Sequence, residues 1–294
     1  MTGCHEMHET LSASRSADHG CIICASNTHY YFSKTYAAYP GAPFENELTV
    51  DYWRCEHCGF VISRTHQEMG CALWGDVNTS WHHWMENHGA AGTTNQPPYA
   101  DQALALAILE KNQLFSLDDA LDYAAGYGTL SKFLSKYFAK SLKIYDRYVH
   151  DEKAGLAYVS DKDIGRYQVV INSAMFEHVL SRHDLDSVNE LVNDRGVFML
   201  HTVVCEKIPK DSNWFYLEPI VHTAFHTNQS MSLLMKQWGY AASIYAPQAK
   251  SWFLFKDGHE RLAELEKIVD ELNREMQTKF FHYKPGFLDY WKGF

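Results

Sequence analysis

The sequence predicts an α/β fold, an open and largely parallel sheet flanked by helices, with a small cysteine-bound module ahead of it. Three observations carry this. From Phe115 onward, strand-like and helix-like segments alternate. A small-residue turn, "DYAAGYG", stands where the first of these strands gives way to its helix. Two Cys-x-x-Cys pairs, "CIIC" and "CEHC", precede it. A chain of 294 residues, 46% of them hydrophobic, can bury one elaborated domain or a large one with a small companion.

"DDALDY" reads as the first strand of the alternating region. "TLSKFLSKYFA" is its helix, with Leu130, Phe133, Leu134 and Phe138 along one side. "LKIYD" and "AGLAYV" follow as strands. "YQVVINS" is continuous and β-branched, so it is expected to be a strand buried on both faces. "DLDSVNELVND" is a helix that Gly196 is expected to close, before the strand "GVFMLHTVV". "NQSMSLLMKQWGY" is a helix ending on a glycine, and "AASIYAP" with "SWFLFK" makes a closing pair of strands. Upstream, "ADQALALAILEKNQLF" is a helix presenting Ala103, Leu104, Ala107 and Ile108. The resulting organisation is a disordered terminus (1–20), a cysteine module (21–64), a connecting segment rich in Trp and His (65–114), the α/β domain (115–256), and a helix with an aromatic tail (257–294).

The pairs Cys21/Cys24 and Cys55/Cys58 each present two thiolates. Together they complete a tetrahedral S4 site for a structural zinc ion. Gly59 suits the tight turn after the second pair. Two redox pairs or a disulfide framework are the alternatives, and His57 and His66 are competing ligands. With every position filled, the ion organises the module and takes no part in chemistry.

In an open α/β sheet, ligands gather beyond the carboxyl ends of the strands. Gly126 and Gly128 permit close approach there, and Ala124 keeps the wall low. The next strand ends in Asp146, eighteen residues past Gly128, placed to accept from both hydroxyls of a ribose. A dinucleotide site would want a third glycine where Ser131 stands. The acid-x-small-x-Gly-x-Gly run led by Asp122 instead resembles motif I of the class I S-adenosylmethionine-dependent methyltransferases, with Ala124 in place of that family's usual first glycine. The resemblance spans roughly 115–255. It implies a Rossmann-like methyltransferase sheet, with Asp122 and Gly126 facing the methionyl part of the cofactor and Asp146 the ribose. Asn172, at the end of the fourth strand, falls where relatives place substrate-facing groups. "MFEHVL" resembles the Glu-His segment of the family's small-molecule branch, so Glu177 and His178 either contact cofactor or substrate, or cap the next helix.

A two-knuckle cysteine module ahead of such a core also resembles the sugar methyltransferases of deoxysugar and polysaccharide pathways. Their Tyr-x-Glu-His segment aligns with "PIVHTAFHTNQSM", making His222 the counterpart of the base proposed in that branch. Pro219 and Val221 replace its Tyr and Glu, and Tyr216 or Glu218 could stand in for the lost partner. His226 is a second candidate base, since four-residue spacing would put it on one helical face with His222. The implied reaction is methyl transfer to a hydroxyl or carbon of a sugar-like acceptor, nucleotide-linked sugars included. Another small metabolite, a zinc-ribbon RNA methyltransferase and a non-catalytic scaffold are the alternatives.

A formal net charge of −10 disfavours a nucleic-acid surface. No apolar run approaches the roughly 20 residues a membrane helix needs. A cytoplasmic location is expected, and the aromatic tail either caps the domain or docks on a second copy.

Overall fold

The computed structural model describes residues 20–88, 96–149 and 155–289. The N-terminal stretch expected to be disordered lies outside these, apart from its last residue. Two sheets organise the molecule. The larger has eight strands: β4 (Ala120–Tyr123), β5 (Lys143–Tyr145), β6 (Ala157–Tyr158), β7 (Tyr167–Ser173), β8 (Val192–His201), β11 (Tyr240–Ala246), β12 (Ser251–Lys256) and β13 (His282–Pro285). Their order is β13-β11-β12-β8-β7-β4-β5-β6. The five strands from β6 to β8 run parallel, and β12, β11 and β13 close the sheet antiparallel. The chain order reverses between β4 and β7, so the switch-point crevice opens beyond Tyr123 and Ser173.

Helices cover both faces because the central strands, β4 and β7 above all, are buried on both sides. Against one face lie α3 (Tyr99–Lys111), α4 (Thr129–Phe138) and α7 (Leu265–Glu275), through Leu106, Leu109, Leu130, Leu134, Ile268 and Leu272. Against the other lie α5 (Arg182–Glu190) and α6 (Asn228–Gln237), through Leu185, Val188, Met231 and Leu234. On α3 the buried set is Gln102, Ala103, Ala105, Leu106 and Leu109. The contact face is therefore rotated from the expected one, and Leu104 and Ile108 pack only at its margin.

The smaller sheet joins β1 (Thr28–Ala37), β2 (Glu47–Cys55) and β3 (Val61–Ser63) to β10 (Ala224–Thr227) and β9 (Val204–Cys205), in the order β1-β2-β3-β10-β9. The cysteine-bearing strands thus continue into elements that leave the main sheet after β8. Its core is aromatic, with Phe32 stacked on Tyr52 and Tyr52 against Phe225. The short α1 (Arg64–Glu68) and the long α2 (Cys71–His88) run beside it, and Trp74, Trp81 and Trp84 pack there. The tail caps its own domain: Trp252 stacks on Phe287 and donates to the Leu288 carbonyl at 2.9 Å.

One expected boundary moves. Ser181 and Asp184 form a capping box at the start of α5, which ends at Glu190, and β8 begins at Val192. Gly196 lies inside β8 and does not end the helix, because a bulge there shifts the register against β7.

Candidate active site

The crevice is built by the turn after β4. Ala124 (φ 60°), Gly126 (φ 53°) and Gly128 (φ 65°) all take left-handed backbone, and Gly128 caps α4. A side chain at Gly128 would strike Leu156, whereas nothing stands within 4 Å of one placed at Gly126. That position opens onto free space. Asp146, just past β5, clamps the turn: it accepts from the Gly126 amide at 2.8 Å and from the Tyr148 and Val149 amides at 2.8 and 2.9 Å. Tyr158 donates to the Gly126 carbonyl at 2.8 Å.

Asp122 is 3% exposed at the end of β4. Burial, and then the charge of Asp146, push its carboxyl up to about 8, with no cation opposing them. Asn172 on β7 donates to the Tyr123 carbonyl at 3.3 Å, while its own side-chain oxygen is buried without a partner. Among the described residues, a carboxyl group without a cationic partner and an acceptor without a donor thus stand at the ends of the neighbouring strands β4 and β7.

Beside it, Glu177, His178 and His222 converge, each offering one ligating atom within 4.8 Å of the others. The segment carrying Glu177 and His178 is a short 3-10 turn after β7. Since Ser181 caps α5, neither residue serves as a helix cap. Thr223 pins His222 into place: its amide donates to the Glu177 carbonyl and its carbonyl accepts from Ser63 of β3, both at 2.7 Å. The His222 Nδ1 lies 2.7 Å from the Tyr216 carbonyl, so Nδ1 carries the proton and Nε2 the lone pair. Burial lowers the His222 pKa to about 4. Glu177 accepts from the Thr202 hydroxyl at 3.1 Å, and burial raises it to about 7. His178 is driven well below the ordinary histidine range by burial and then by His222 and His82.

The expected pairing of His222 with His226 does not form. His226 lies on β10, not on a helix. It is wholly buried between Phe60 and Phe176, at ring separations of 4.8 and 5.6 Å. There it is a packing residue remote from any open surface. Glu218 is exposed, so of the two suggested stand-ins only Tyr216 joins the cluster, its ring 4.5 Å from that of His222.

The four cysteines meet as their spacing requires. Cys21 and Cys58 sulfurs lie 3.6 Å apart, Cys24 and Cys55 3.5 Å, and all four fall within 4.8 Å of one another. Four thiolates about 2.3 Å from one zinc ion would be about 3.8 Å apart. Gly59 turns at φ 71° against Thr227, as its place after the pair demands. His66 is held elsewhere, its Nδ1 2.6 Å from the Ser63 hydroxyl.

The family model described as "Methyltransferase domain" matches residues 95–243, from the approach to α3 through most of β11. The chain belongs to this methyltransferase family. It is a class I S-adenosylmethionine-dependent enzyme with the α/β sheet such enzymes use. It has no significant match among curated protein sequences. Similar solved structures include the plantazolicin methyltransferase BpumL bound to a triazolic substrate analogue and S-adenosylhomocysteine. That match has 11% identity and a TM-score of 0.40, covering 62% of this chain and 93% of that one. The magnesium protoporphyrin IX methyltransferase of Synechocystis PCC 6803 matches at 14% identity and a TM-score of 0.34, covering 53% and 82%. An O-methyltransferase family protein of Burkholderia thailandensis matches at 12% and 0.40, covering 67% and 63%.

Several groups of the methyltransferase site had no signal in the sequence. Tyr99, at the start of α3, is raised to about 12 by burial and then by the charges of Asp122 and Glu177. Thr202 supports Glu177 from just past β8. His82 on α2 faces His178, with rings 5.5 Å apart. Each reaches the site from an element far away in sequence. Among the described residues, no helix is long and apolar enough to cross a membrane.

Proposed function

We propose that the methyltransferase transfers a methyl group to a hydroxyl or carbon of a sugar or sugar-like small molecule, nucleotide-linked sugars included. The observation that carries this reading is the convergence of Glu177, His178 and His222, each offering a ligating atom within 4.8 Å of the others, on the turn that directly follows the crevice end of β7. That cluster is equipped to take a proton beside the place where the fold holds its cofactor.

S-adenosylmethionine, when bound, supplies a methyl group activated on a sulfonium. Asp122 and the unpartnered oxygen of Asn172 suit its ammonium-bearing end, Gly126 leaves room for it, and Ala124 and Gly128 shape the turn. Asp146 uses three of a carboxylate's roughly four acceptor directions on backbone amides. Its contact with a ribose therefore involves the remaining direction or a rearranged turn. With the cofactor bound, its chemistry would be transfer of the methyl group to the acceptor oxygen, the former bonding pair staying on sulfur. The acceptor's proton passes into the group formed by Glu177, His178 and His222. Those residues are fixed by backbone and hydroxyl contacts, so little reorganisation is needed as charge moves.

The four-cysteine cluster is assigned to a structural zinc ion, which would tie β2 to the segment before β1. The experiment is a transfer assay with labelled cofactor over nucleotide-linked sugars, free sugars, polyols and RNA. Label on a sugar-class acceptor supports the reading, and label on RNA alone defeats it.

A further inference from the structure

The geometry points to a second metal site: Glu177, His178 and His222 bind one divalent first-row transition ion, separate from the four cysteines. This rests on the reading above, since it concerns the cluster assigned there to the acceptor, and it changes the proton's route: an ion held by the three residues would acidify an acceptor hydroxyl, whose proton would leave to solvent.

Each of the two histidines has one ring nitrogen engaged by a backbone carbonyl. The Nδ1 of His222 is committed to the Tyr216 carbonyl, leaving Nε2 for an ion. The Nδ1 of His178 is buried and has no hydrogen-bond partner, while the Val221 carbonyl engages its ring. Glu177 takes the Thr202 hydroxyl on Oε2 and is hydrogen-bonded by Tyr216 as well, contacts that orient the carboxylate as a ligand's supporting partners do. Metal-binding histidines are held in this manner, with the far nitrogen donating to a carbonyl so that ring and tautomer are set before the ion arrives. A buried imidazole nitrogen without a partner is costly, and an ion would satisfy it.

The spacing agrees. Ligand atoms about 2.1 Å from a shared ion lie roughly 3.0–4.2 Å apart, and here all pairs are within 4.8 Å. Closing the gap takes side-chain movements of a few tenths of an ångström. Two imidazoles and one carboxylate suit zinc, manganese, iron(II) or cobalt, whereas magnesium and calcium prefer oxygen alone. Three protein ligands leave positions open. The cluster begins three residues after the crevice end of β7, so an acceptor hydroxyl could occupy one of those positions.

The test uses the full chain loaded with Co2+ and, separately, with excess Zn2+ followed by gel filtration. The expected absorption spectrum of the cobalt protein sums a thiolate-rich component and a weaker nitrogen–oxygen component. The expected zinc content is about two ions per chain, falling to about one in His178→Ala and in Glu177→Gln, with calorimetric cofactor affinity retained as evidence of folding. A purely thiolate spectrum, or equal zinc content in wild type and both variants, overturns the assignment. Methyl transfer to a sugar-class acceptor by a wild-type chain whose zinc content equals that of both variants would sink this inference and leave the proposed function standing. A loaded second site with no transfer to any sugar-class acceptor would do the reverse.

Discussion

His222 presents its lone pair because Tyr216, six residues earlier, takes the proton on the other nitrogen: Nδ1 lies 2.7 Å from the Tyr216 carbonyl. That contact is backbone-fixed, and it makes the Nε2 face available to an acceptor or an ion. His222→Ala is therefore expected to lower kcat by about 10²- to 10⁴-fold while leaving cofactor affinity unchanged. Single-turnover assays and calorimetry on the same preparation check the split. Loss of cofactor binding with the activity would place His222 in the wrong half of the site.

Asp122 gives a pH prediction. Its folded-state pKa is raised from 3.8 to about 8, first by burial and then by Asp146. The folded chain thus holds a proton that the unfolded chain has lost, so this group's contribution to stability falls as pH rises from about 4 to about 8, and is level above. A bound cation favours the ionised carboxylate. Cofactor affinity should then rise with pH, by up to about tenfold per unit, until about pH 8. Asp122→Asn should remove both dependences, stabilising the cofactor-free chain at pH 8 while weakening binding. Melting curves and titrations across that range test it, and a flat wild-type affinity profile would contradict it.

The cysteine cluster and the active site are mechanically joined. β3 pairs with β10 through Ile62 and Ala224, and Ser63 donates to Thr223, the neighbour of His222. Removing zinc should do more than loosen a module. Cys55→Ser is expected to cost at least about 3 kcal/mol, a fall in Tm of roughly 6–10 °C for a chain of this size. It should also reduce kcat at temperatures where the main sheet is still folded. Intact activity in a metal-free, folded variant would count against the coupling.

What the sequence disclosed follows from how far each signal reaches. The β7 run was legible because a strand buried on both faces leaves a continuous β-branched stretch. The turn at Gly126 and Gly128 was legible because left-handed backbone selects small residues locally. The four cysteines were readable because two Cys-x-x-Cys pairs are a local spacing pattern, and the fold brings their sulfurs together. His226 misled because four-residue spacing implies a shared face only on a helix, and the chain there is β10. Thr202, Tyr99 and His82 were silent, since a residue that acts by reaching across the fold leaves no local pattern. The union of β3 with β10 was invisible for the same reason.

Gly196 offers a test that separates stability from chemistry. It reads in sequence as a helix stop, yet it sits in a bulge of β8, where pairing passes from Tyr167↔Val192 to Val169↔Val197. A β-carbon there would lie 2.6 Å from the Gln168 carbonyl oxygen and 2.8 Å from Val192. The first obstacle is the backbone of a central strand, which has little room to yield. Gly196→Ala should therefore cost about 1–3 kcal/mol. The bulge lies at the end of the sheet opposite Ser173 and His201, so cofactor affinity and kcat well below Tm should match wild type. Thermal melts showing no loss would mean β8 can drop its bulge and pair in simple register with β7, and the strand ends around the crevice would then need a different alignment.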